Sequence, residues 1–179
     1  MNNFEESYSV IRKSLEETFD EILGLFSLPA DKRSAVGKNG DWTINETLEH
    51  VSLVNRYLIM TLRRQFSKAV KMPTDQCGPV GAISLAPVKK ISDSAAFTWE
   101  SPRHMLPTGR APVDETRNEL SGQKAECLRM LEGMKNGEGF RRRITMSVGG
   151  MGKIDLYQWI YFIAMHMEWH LSGLRQDIR

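Results

Sequence analysis

The distribution of proline constrains this chain more than any other feature. Five of its seven prolines (Pro73, Pro79, Pro87, Pro102 and Pro107) fall within 71–111, and Pro112 follows directly. A proline inside a helix removes a hydrogen bond and clashes with the preceding turn, at about 3 kcal/mol. No long helix is therefore expected in this stretch. A structureless connection of such length is uncommon in a compact domain and usually carries function. Phe97, Trp99, Met105 and Leu106 supply apolar anchors, so the segment is expected to pack down onto the rest of the chain.

On either side of this connection lie four segments with a helical apolar period. In the first, Phe4, Tyr8, Ile11, Leu15, Phe19, Ile22 and Phe26 recur at steps of three and four, which gives one apolar face. Pro29 stops it. The second opens at Thr43-Ile44-Asn45-Glu46. Here the Thr hydroxyl and the Glu carboxylate can each satisfy a free amide of the first turn. Ile44, Val51, Val54, Leu58 and Leu62 form its stripe, and it is expected to run to about Val70. The third begins at Pro112, buries Leu120, Cys127, Leu128, Leu131 and Met134, and is expected to end at Asn136-Gly137. The fourth begins near Asp155, with Gln158 completing a second reciprocal cap. It runs through Leu156, Trp159, Ile160, Ile163, His166, Met167, His170, Leu171 and Leu174.

Between the third and fourth segments, residues 137–153 hold five glycines and the alternating run Ile144-Thr145-Met146-Ser147-Val148. Either a hairpin or an extended loop fits it. The expected fold is all-α, an antiparallel four-helix bundle with a long proline-rich connection between helices 2 and 3. At 179 residues the chain suits one domain spanning 1–179.

Composition narrows the function. A formal net charge of +2 implies no nucleic-acid partner. Arg141-Arg142-Arg143 is read as a solvated face. No apolar run approaches the ~20 residues needed to span a bilayer, so no membrane partner is expected. The N-terminal residues lack the basic start and apolar block of a secretory signal. Cys77 and Cys127 are too few for a disulfide framework. The expected location is the reducing cytoplasm, with both thiols free.

The chemistry-bearing residues are histidines. His166 and His170 are four apart, so they project from one face of the last helix about a turn apart. That face is the apolar one. Two imidazoles in a core must each find a polar partner, and a divalent ion is a good one, since neutral imidazole is a common ligand for zinc and nickel. His50, at the edge of the second helix's stripe, is the third candidate. Three imidazoles with open positions form the pattern of a catalytic site. Against this stands the plain reading of core histidines with ordinary hydrogen bonds. The zinc-protease motif is absent, because Met167 follows His166 and Glu168 is turned roughly 200° away at ~100° per residue.

The chain resembles the DinB-like (YfiT-like) superfamily of bacterial four-helix bundles. The likeness rests on Asp41-Trp42-Thr43 opening the second helix, His50 within it, the long connection, and the closing segment from Gln158 to His170. It implies a divalent metal, nickel or zinc, on His50, His166 and His170. It also implies a small-molecule substrate and a homodimer. Members include S-transferases that join low-molecular-weight thiols such as bacillithiol to electrophiles, a thiol-dependent maleylpyruvate isomerase and metal-dependent hydrolases. The implied function is thiol transfer with the metal activating the thiol; the alternatives are hydrolysis and a non-catalytic metal-binding bundle. After the last histidine the family often shows H-x-x-Q, where this chain has Gly173.

Other residues carry two readings each. His104 either covers the metal pocket or is a solvent-exposed loop residue. Arg103, Arg110 and Arg175 are each able to receive a carboxylate of a thiol cosubstrate. Trp42 is read as packing at the helix start, Cys127 as a core residue, and Cys77 as incidental.

Overall fold

The computed structural model describes residues 3–37, 42–73, 80–93, 95 and 97–178. Six helices are described: α1 (Phe4–Gly24), α2 (Ala30–Ser34), α3 (Ile44–Lys71), α4 (Ala86–Lys89), α5 (Val113–Glu132) and α6 (Leu156–Ile178). Two short strands, β1 (Arg143–Met146) and β2 (Gly152–Asp155), pair antiparallel, with Arg143 opposite Asp155 and Met146 opposite Gly152. The chain is mostly helical, broadly as the all-α expectation has it, and the glycine-rich stretch adds one small hairpin. Gly149, Gly150 and Gly152 turn it with φ of 60°, 65° and 67°, a region that side chains disfavour. No described helix is long and apolar enough to cross a membrane.

The four long helices share one core. Ile11, Leu15, Phe19 and Ile22 of α1 are fully buried, as are Leu62 of α3, Leu120 and Leu131 of α5, and Ile160 and Ile163 of α6. Each such side chain contributes about 1.5–3 kcal/mol on leaving water. α3 starts where its cap predicts: Thr43 Oγ1 accepts from Glu46 N at 3.1 Å, and Glu46 Oε2 accepts from Thr43 N at 2.8 Å. α6 starts on the same device, with Asp155 Oδ1 and Gln158 Oε1 each accepting the other residue's amide, at 2.9 and 3.0 Å. α5 ends at Glu132, short of Asn136. Gly133 caps it, and Gly137 (φ 96°) then turns the chain.

Helix directions depart from an all-antiparallel arrangement. α1 lies antiparallel to α5, through Arg12–Glu132 and Asp20–Lys124. α3 lies antiparallel to α6, through Asn55–Met167 and Leu58–Trp159. But Arg56–Glu119 and Arg63–Glu126 set α3 and α5 parallel. The contacts of Phe4 with Tyr157 and Glu21 with Arg175 do the same for α1 and α6. Parallel neighbours cannot be joined by a tight turn. The chain must travel back along α3, about 40 Å at ~1.5 Å per residue.

That return explains the proline-rich connection. Its described part touches α1 and α6 near their starts, where Ser7 Oγ donates to Ile83 O and Gln158 Nε2 to Ser84 O. Ile83, Val88 and Ile91 are buried there. It then passes Trp169, whose Nε1 donates to Phe97 O at 3.0 Å, and reaches the start of α3 through Met105. Met105 is buried and Phe97 and Trp99 pack on the core, as expected; Leu106 is exposed instead.

Candidate metal centre

The two helix caps determine which residues meet at the far end of this path. Thr43 starts α3 so that His50 falls about two turns in and faces the core, 1% exposed. On α6, His166 and His170 sit a turn apart, 1% and 9% exposed, with their Nε2 atoms 3.2 Å apart. Because α3 and α6 run antiparallel, the early turns of one face the later turns of the other. Ring centroids lie 5.5 Å apart for His50–His166, 4.9 Å for His50–His170 and 4.8 Å for His166–His170. One ring nitrogen from each falls within 4.8 Å of the other two. The three residues expected from sequence are brought together.

Burial sets their charge. It lowers the pKa of His50, against a weaker opposing pull from the Met105 carbonyl. It lowers His166 well below its ordinary value, with the neighbouring His170 and His50 adding to the effect. It lowers His170 to about 3, again helped by His50. All three are neutral near pH 7. His50 Nδ1 sits 2.6 Å from Met105 O. A carbonyl only accepts, so Nδ1 carries the proton and Nε2 keeps its lone pair.

This neutral cluster fits a divalent cation. His166 and His170 point nitrogen at nitrogen, yet each imidazole has one donor at most, and His166 Nδ1 is buried with no partner among the described residues. A cation taking the facing Nε2 lone pairs would replace the single Nε2–Nε2 hydrogen bond that the pair makes on its own. Uncharged nitrogen donors suit zinc, nickel and similar ions.

Tryptophans wall the cluster. Trp42 lies 4.8 Å from His50 and is stacked on His170 at 6.5 Å. Trp99 meets His166 edge-on at 4.8 Å, and Trp169 meets His170 edge-on at 5.0 Å. All three are half-buried, so they separate the imidazoles from solvent without sealing them. Trp99 Nε1 is likewise buried with no partner among the described residues. Reading Trp42 as helix-start packing missed this placement. Its position one residue before the cap was the available signal, since it puts Trp42 on the same end of α3 as His50.

The remaining candidates lie elsewhere. His104 is exposed and outside the cluster. Arg175 is held between Glu21 and Glu168 by contacts of 2.5–3.1 Å, so it is not free for a cosubstrate carboxylate. That pairing also shows Glu168 turned toward Arg175, away from the histidine cluster. Arg103 and Arg110 are exposed. Cys127 is fully buried, and burial raises its thiol pKa, with Glu126 adding to the shift; it is a core residue. Cys77 and Asp41 lie outside the described residues. Gly173 faces open space, so the missing glutamine leaves no packing defect.

Compared with known families, the chain matches the model of the DinB superfamily over residues 14–172. The matched span includes all three histidines. Neither the curated proteins nor the solved structures yield a match.

Proposed function

The chain belongs to the DinB superfamily, and from that premise we propose that it is a metal-dependent thiol S-transferase. In this reading the four long helices form a single-domain bundle, with His50, His166 and His170 holding one nickel or zinc ion. The substrate is a small molecule, and neither nucleic acid nor membrane is a partner. The observation that carries the proposal is the convergence of three neutral, buried imidazoles from two antiparallel helices within 4.8 Å.

Three protein nitrogens leave at least one position open, as in catalytic rather than closed structural sites. When bound, the ion supplies Lewis acidity that lowers the pKa of a coordinated thiol or water. The chain's own residues hold and shield. His50 is oriented by Met105 O, and the three half-buried tryptophans restrict water around the imidazoles.

One feature favours a thiol cosubstrate over hydrolysis. The carboxylates nearest in sequence to the histidines are both engaged, Glu49 by Thr108 and Gly109 and Glu168 by Arg175. Neither is placed as a general base for water. Cys127 is enclosed in the core, so the reading takes the thiol from a separate small molecule.

Elemental analysis of purified protein should find one nickel or zinc per chain. With that metal restored after chelation, conjugation of bacillithiol, cysteine or glutathione to an electrophile should appear, and it should disappear again with chelator. Fully loaded protein that conjugates none of them but hydrolyses esters would move the assignment to hydrolase. Loaded protein with neither activity would leave a binding bundle.

A further inference from the structure

Glu49 precedes a histidine of the cluster, and its own surroundings are unusual. It is 7% exposed, and an ionised carboxylate at that depth is costly unless fully satisfied. Among the described residues no Lys or Arg pairs with it. Its charge is met by one short stretch of the connection. Oε1 accepts from Thr108 N at 2.9 Å and from Thr108 Oγ1 at 2.7 Å, Oε2 accepts from Gly109 N at 2.9 Å, and the Ala111 amide helps to hold the carboxylate's pKa down. Gly109 reaches this arrangement at φ 69°, and a Cβ there would sit 3.3 Å from Glu46 Oε1. Glu49 thus holds this stretch against α3, with Glu46 packed beside Gly109.

Three residues before Thr108 is Met105, whose carbonyl meets His50 Nδ1 at 2.6 Å. The segment is therefore attached to α3 at two adjacent residues, through the carboxylate of Glu49 and the imidazole of His50. Pro107, with its fixed φ, stiffens the link between them. Thr108, Gly109 and Arg110 are exposed, so apolar burial does not hold this stretch down. The buried Met105 side chain anchors its own residue, but the direction of its carbonyl follows the backbone that continues to Thr108.

We propose that Glu49 is a positioning residue for the metal centre: its clasp on residues 108–111 holds the Met105 carbonyl on His50 Nδ1 and so commits His50 to the tautomer that presents Nε2 to a metal. Partners of this kind fix ring orientation and raise ligand basicity, and their loss weakens metal affinity by about 10–100-fold. The effect on affinity rests on the three-histidine metal reading; the effect on the His50 tautomer does not.

Glu49→Gln keeps the size of the side chain while placing an amide N–H against donors. Imidazole nitrogen NMR on metal-free wild type should show His50 protonated at Nδ1, with Nε2 lone. In E49Q that pattern should average between tautomers, and zinc affinity from competition with a chelating dye should fall about 10–100-fold. Glu49→Asp should recover part of the loss. Should E49Q not fold, Thr108→Val, which removes one exposed hydroxyl, carries the same readouts with a smaller change in the same direction. A folded variant whose thermal midpoint drops while its tautomer and zinc affinity match wild type overturns the proposal. If wild type itself binds no zinc but the tautomer still shifts in E49Q, the metal reading fails and the positioning role stands.

Discussion

Two aromatic clusters sit toward opposite ends of the long helices, and they differ in one respect. At the first, Phe4, Tyr8, Phe140 and Tyr157 meet with centroids 5.0–6.4 Å apart. Its polar atoms are all paired. Tyr157 OH donates to Met134 O and accepts from Gly139 N, and Tyr8 OH donates to Leu131 O at 3.0 Å. A Cβ on Gly139 would lie 2.6 Å from the Tyr157 ring, so the space is full. At the second, Trp42, Trp99 and Trp169 surround the histidines, yet His166 Nδ1 and Trp99 Nε1 are buried without partners among the described residues. Aromatic density is common to both. Among the residues of the two clusters, unpaired buried polar atoms belong to the second alone, and since burying such groups costs about 1–3 kcal/mol each, a ligand there would offset a cost the first cluster does not carry.

The contrast predicts opposite consequences for two truncations. His166→Ala should abolish metal-dependent turnover and most metal binding, while costing only about 1–3 kcal/mol of stability. Tyr157→Ala should cost about 3–5 kcal/mol yet leave metal stoichiometry per folded chain unchanged. Calorimetric melts beside elemental analysis separate the two, and an unfolded His166→Ala protein would break the comparison by making the histidine end structural.

A smaller effect should appear in acid. His170 has a folded pKa of about 3, against an unfolded value near 6.5. Between these values the unfolded chain binds the extra proton, so stability is full above about pH 6.5 and declines as pH falls toward 3. Denaturant melts of metal-free protein should show this decline, and His170→Gln should flatten it. A slope identical in both proteins would mean His170 is charged when folded, against the neutral cluster.

The smallest effect is expected where neither cluster is touched. Arg63 and Glu126 join α3 to α5 at 2.6 Å on a largely exposed face. Arg63→Ala should cost no more than about 1 kcal/mol and leave metal affinity at the wild-type value. A change in affinity would show that the site depends on the α3–α5 pairing as well as on α3–α6.

The helices were legible because their signals are local. Apolar period, the Thr43–Glu46 and Asp155–Gln158 caps, and the histidine spacing on α6 all reside in contiguous residues that interact within a turn or two. His50 was legible as the third member of the cluster because few residues combine that side chain with a place on an apolar helix face. The hairpin was ambiguous because four-residue strands offer too few alternations to outweigh a glycine-rich loop. The end of α5 was read late because Met134 extends the apolar pattern past the point where Gly133 caps the helix.

Tertiary structure alone decided how these parts face each other. Parallel pairing of α3 with α5 and of α1 with α6 is set by contacts between residues far apart in sequence, such as Arg56 with Glu119 and Glu21 with Arg175. That pairing makes the long connection a return path and brings it over the histidines. The group that orients His50 is a backbone carbonyl, which every residue possesses, and the groups that satisfy Glu49 are mostly backbone amides. Side-chain identity specifies the three imidazoles; a main-chain atom has no identity in the sequence, so its role exists only once the chain has folded around it.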